Sequence, residues 1–252
     1  MEINKFSLSI LALSPILGVF VVYVHRSIQS EEQRKISEKQ LSESQNKNKA
    51  DMYYSKRKFI SEQLDYVNEG FNYKLRNVNE LYNLAFLVGD NFNDEINAKF
   101  YICLNDKIKL IISDIEKINV FTQELKSTDI AYDKIIDKIS DCITGILQSV
   151  NALETQLLIE PKSMNEFKTI RTSINTKYSD YSSTEKNEAD KNRFISNVLS
   201  VIDDIYIEIH SAHQLILRIL SCLISKKDII KYMPNYLNLE EIIYNHLYEQ
   251  KI

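Results

Sequence analysis

The chain has 252 residues, 31 basic and 35 acidic, with only 4 Gly, 3 Pro and 3 Cys and no Trp. Tight turns need Gly and Pro, so this composition excludes folds built from many short elements and argues for a few long ones. An odd, widely spaced set of cysteines fits a reducing compartment and does not suggest a disulfide framework, and an acidic distal body within an overall charge of −4 argues against a nucleic-acid-binding surface.

In chain order, the first feature is an uncharged run over residues 6–24, FSLSILALSPILGVFVVYV, closed by His25-Arg26. At 1.5 Å per residue a helix of this length spans roughly 28 Å, close to the hydrocarbon thickness of a bilayer. A cleaved secretory signal has a shorter apolar core and small residues before its cleavage point, and neither feature is found here. The run is therefore read as a permanent single-pass anchor. Phe6, Leu11, Pro15 and Gly18 lie in the lipid, and Tyr23 and Arg26 at the headgroups. Lys5 alone precedes it, whereas Arg26, Arg34, Lys35 and Lys39 follow it. The positive-inside bias then predicts an inner or plasma membrane protein with the bulk of the chain in the cytoplasm.

Residues 26–51 form a polar, basic stalk. From residue 25 to 58 there are nine basic and five acidic residues, a net of +4, whereas residues 59–252 carry 21 basic and 29 acidic, a net of −8. Basic residues beside a membrane favour anionic headgroups. Ile28, Ile36, Leu41 and Ala50 are too sparse for a coiled-coil seam, so the stalk is read as partly helical.

Residues 52–252 read as a helical bundle domain, and the fold class as all-α: transmembrane helix, stalk, and an antiparallel bundle of about five long helices. Ile60, Leu64, Val67, Phe71, Leu75, Val78, Tyr82 and Ala85 recur at three- and four-residue intervals as one helix, stopped at Gly89-Asp90-Asn91. Phe100, Leu104, Ile108, Ile111, Ile115 and Ile118, with Ile96 before them, predict a second. Ser127-Thr128-Asp129 starts a third, through Ile135, Ile139, Cys142, Ile146, Val150, Leu153 and Leu157, halted at Glu160-Pro161. A capping box at residues 163–166 opens a shorter helix, and residues 179–192 read as a loop. Phe194 to Leu223 repeats the helical stripe, and NLEE at residues 238–241 resembles the start of a final helix.

Motifs that carry chemistry are scarce. No GK[ST], HExxH, GxSxG or CxxC occurs, which removes P-loop nucleotide hydrolysis from consideration. DDIYIEIHSAHQ places Asp203, His210 and His213 at helical spacing, residue types that could share a metal. The Glu-x-x-His pairs of di-iron bundles are missing, and the ordinary reading is one edge-packed histidine (His213) and one solvated (His210). No cofactor is expected. Cys103, Cys142 and Cys222 read as small core residues. MYYSKRKF, residues 52–59, reads as a helix start with aromatics on the core and charges in water.

The layout of stub N-terminus, apolar helix, Glu/Gln/Lys stalk over residues 31–49 and helical body resembles membrane-anchored helical proteins of bacterial phage-defence and abortive-infection loci. The lack of catalytic constellations, together with an anchor and a long helical body, points to a non-catalytic, membrane-tethered interaction or regulatory module, and the resemblance implies its use in a defence or stress-response assembly. Its partners would be the lipid bilayer and either another protein or a second copy. The alternatives are a membrane-permeabilising effector acting by oligomerisation, for which Ser7, Ser9, Ser14, Pro15 and Gly18 could pack helix on helix, and a helical-bundle metal enzyme.

Overall fold

A computed structural model describes residues 3–70, 74–89, 92, 94–125, 132–160, 172–173, 176 and 188–249. Seven α-helices, one two-stranded hairpin and a terminal π-turn make up the described residues. The chain divides into two units, Met1–Ser55 and Lys56–Ile252.

The first unit consists of the leading part of α1, which runs from Ile3 to Gly70 without a break. The side chains from Leu13 to Lys49 are all exposed. The stalk is helical throughout, more regular than its composition suggests. Arg34 bridges Glu31 at 2.9 Å and Glu38 at 2.7 Å on the i+3 and i+4 positions. Such exposed pairs contribute only a few tenths of a kcal/mol each, but they lie in the register that favours helix.

The second unit starts where α1 gains a buried stripe at Ile60, Leu64 and Val67. Gly70 then ends the helix, so the stripe expected to run on to Ala85 is broken in two. A separate α2 spans Val78–Ala85, its first turn capped by Asn77 Oδ1, which accepts from the Glu80 amide. Beyond it, where the sequence suggested only a stop, β1 (Phe86–Val88) pairs antiparallel with β2 (Asp94–Ile96).

Helices α3 (Ala98–Leu125) and α4 (Tyr132–Gln156) bury the stripes read from sequence. Asp114 lies against Gly145, and Phe121, seven residues later in α3, takes Lys138, seven residues earlier in α4. The two helices therefore run antiparallel. A Cβ at Gly145 would overlap the Asp114 carboxylate, so the glycine makes room for a polar side chain between the two backbones.

Helix α4 ends in a Schellman turn, with the Ile159 amide donating to Glu154 O and the Leu158 amide to Thr155 O. Leu158 occupies the left-handed position, φ 56°, which usually falls to glycine. An antiparallel bridge from Leu75 to Ile159 holds this strained turn. The start at residues 127–129, the capping box at 163–166 and most of the short helix after it lie outside the described residues.

Helix α5 (Glu188–Leu223) begins inside the stretch read as loop. Tyr132 of α4 meets Phe194 edge-on at 6.1 Å. Short α6 (Lys226–Tyr232), capped by Ser225, was not anticipated. The last helix, α7 (Pro234–Tyr244), starts at a proline in its first turn, so NLEE falls within the helix instead of opening it. Asn105 of α3 accepts a hydrogen bond from the Asn235 amide at 3.0 Å, tying α7 to α3. A π-turn, Asn245–Glu249, follows.

Among the described residues no single helix is long and apolar enough to cross a membrane. The side chains of residues 1–12, part of the uncharged run, lie outside them. The pair α5 and α6, bent by 114°, passes on length and composition. Most of its apolar residues from Phe194 to Leu223 are core residues of the second unit, although Ile207 is exposed.

Candidate functional site

Asp203, Tyr206, His210 and His213 succeed one another at three- and four-residue steps, which puts them along one side of α5. Tyr206 and His213 are buried, His210 is half-buried and Asp203 is exposed. Opposite them stand α7 and the π-turn. The Tyr206 ring stacks on His246 with centroids 3.5 Å apart and planes 3° from parallel. His246 Nε2 lies 3.0 Å from Asp203 Oδ1. Seven residues further along α5 the residue types exchange places: His213 stacks on Tyr236 of α7 at 4.3 Å. The Tyr236 hydroxyl donates to the His213 carbonyl at 3.1 Å. The Tyr206 hydroxyl reaches Asn119 Oδ1 of α3 at 3.0 Å.

Two histidine–tyrosine stacks of opposite order thus clamp the C-terminal segment to α5. Burial pushes the Tyr206 hydroxyl up to about 12 and the Tyr236 hydroxyl well above its ordinary value. Both phenols stay protonated and act as donors. Burial also holds His213 down at about 4, with the nearby His210 adding to the effect.

The candidate metal set of Asp203, His210 and His213 is not assembled among the described residues. Asp203 engages His246, which sequence spacing did not connect to it, and both ring nitrogens of His213 are buried without a hydrogen-bond partner. Among the described residues no group of three or more His, Cys, Asp or Glu could hold a metal ion. As an acid–base pair Asp203 and His246 are poorly placed, because the other ring nitrogen, His246 Nδ1, is buried with no partner and offers no route to a substrate. Tyr206, Asn119, Tyr236 and His246 were missed in the sequence because partners 23 to 87 residues apart leave no local spacing signal.

Cys142 and Cys222 are raised by burial, and Cys103, expected in the core, is exposed. In MYYSKRKF, Lys56 lies over Phe86 at 5.3 Å and Arg57 over Tyr82 at 5.0 Å. The Arg57 guanidinium also donates to Asn83. These charges therefore clasp α2 and β1, a more specific role than solvation. The Tyr82 hydroxyl in turn donates to Asp94 at 2.5 Å, linking α2 to β2.

Beside the clamp, α5, α6 and α7 enclose a partly open cavity of about 370 Å³. Leu217, Ile224, Ile229 and Leu237 line it, Tyr236 contributes from α7, and Ser221, Ser225, Lys226 and Glu240 are its other polar residues. Of the residues assigned to the membrane, Pro15, Gly18, Tyr23 and Arg26 are exposed on α1, and the side chains of Phe6 and Leu11 lie outside the described residues.

No family model, curated protein or solved structure matches the chain.

Proposed function

We propose that this protein is a membrane-tethered helical interaction module without catalytic chemistry, anchored at the inner membrane with its helical body in the cytoplasm. The observation that carries the reading is the surface of α1 from Leu13 to Val24. Ile16, Leu17, Val19, Val21 and Val22, which steps of 100° per residue carry all the way round the helix, are all more than half exposed. A helix apolar on every side requires a non-aqueous neighbour, and the uncharged run of residues 6–24 to which this stretch belongs has a length that suits a bilayer. The basic stalk that follows supports a cytoplasmic orientation.

Tethering confines the body to a thin layer, which raises its effective concentration toward other proteins there or toward a second copy. Service in a bacterial defence or stress-response assembly is one use that matches the layout. The test is fractionation combined with topology. The full chain should sediment with membranes and resist carbonate extraction, and a reporter that works only in the cytoplasm, fused after Ile252, should be active. A chain that stays in the supernatant, or one trimmed behind residue 24, overturns the proposal.

A further inference from the structure

We propose that the cavity between α5, α6 and α7 is a binding site for a free apolar α-amino acid. Each wall presents a single helical face. Leu217 and Ser221 come from the end of α5, Ile224 from the bend that follows it, Lys226 and Ile229 from α6, and Leu237 and Glu240 from α7. The volume, about 370 Å³, lies at the lower end of the range for small-molecule sites. Its interior is mostly aliphatic with the Tyr236 ring on one side, and its charged groups are one cation and one anion, on different helices.

Lys226 and Glu240 are both exposed, and neither joins an ion pair among the described residues. The Ser221 hydroxyl donates to the Leu217 carbonyl at 2.7 Å, which leaves its oxygen free to accept. A fatty acid or an alkyl amine would satisfy one of the two charges and be repelled by the other. An apolar amino acid satisfies both: its carboxylate faces Lys226, its ammonium faces Glu240 with Ser221 as an added acceptor, and its side chain enters the aliphatic wall. The inference stands independently of the membrane anchor.

The experiment is equilibrium binding of radiolabelled L-leucine and L-phenylalanine to the purified full chain. Digitonin is the detergent, because its steroid body exceeds the pocket. Saturable one-to-one binding of at least one of the two is expected. Isocaproate, which lacks the ammonium of leucine, and isoamylamine, which lacks its carboxylate, should each bind about tenfold or more weaker. Lys226→Gln should weaken leucine and isocaproate while sparing isoamylamine, and Glu240→Gln should weaken leucine and isoamylamine while sparing isocaproate. Circular dichroism melting of both variants verifies their folding. No saturable binding up to about 10 mM by the folded wild-type chain would overturn the assignment. So would isocaproate or isoamylamine binding as tightly as leucine, or loss in both folded variants without the crossed pattern.

Discussion

His213 is 2 % exposed, stacked on Tyr236, and without a hydrogen-bond partner at either ring nitrogen. Burial favours its neutral form, so its pKa falls to about 4 in the folded chain against an ordinary 6.5. The unfolded chain therefore takes up a proton here that the folded chain refuses. The resulting stability is fully present above pH 6.5 and is lost as the pH falls toward 4, by an amount on the order of 3 kcal/mol. His213→Phe retains a flat ring against Tyr236 and removes the titrating nitrogens. Thermal unfolding of the two proteins from pH 7 to pH 4 should show the variant losing less stability through that window, with its stability at pH 7 equal or higher. Parallel pH profiles would mean that His213 does not titrate on unfolding.

At the level of elements, the contact of α3 with α4 turns on Gly145 and Asp114. Alanine in a helix interior is favoured over glycine by about 1 kcal/mol, but a Cβ at position 145 displaces the Asp114 carboxylate from its place beside Lys117. Gly145→Ala should consequently be close to neutral in the wild-type chain and stabilise the Asp114→Ala background by about 1 kcal/mol. Denaturant unfolding of the four proteins measures that coupling, and strict additivity would show that the carboxylate does not restrain position 145. The stripes of α3, α4 and α5 were legible in the sequence because burying one face of a long helix repeats every three to four residues for many turns. The hairpin was not, since strands of three residues, Phe86–Val88 and Asp94–Ile96, are too short to establish alternation. The break at Gly70 was misjudged because Leu75, Val78 and Tyr82 keep a helical spacing past it by coincidence. Leu75 is in fact held by a bridge to Ile159. The metal candidates failed for a related reason: spacing on one helix ranks residues by face, whereas the partners of that face, His246 and Tyr236, come from elements that spacing cannot place.

Across the whole chain, composition and burial change at the same place. Every described side chain from Leu13 to Lys49 is exposed, and the first core residue of α1 is Ile60. From there the core draws on all the later helices, with each fully buried Leu or Ile contributing roughly 1.5–3 kcal/mol relative to exposure. Nothing in the exposed stretch removes apolar surface from water within the chain, so the body should not need it to fold. A protein of residues 52–252 should be soluble without detergent. It should also melt within about 2 °C of the full chain, a shift corresponding to less than 1 kcal/mol at this size. A longer truncation that begins after Val67 removes Ile60, Leu64 and the cation clasp of Lys56 and Arg57, and it should unfold far more easily. Circular dichroism melting of both truncations separates the two contributions of α1. If residues 52–252 aggregate or melt as early as the longer truncation, then the exposed stretch is part of the folding unit, and the division between a tether and a self-sufficient body is lost with it.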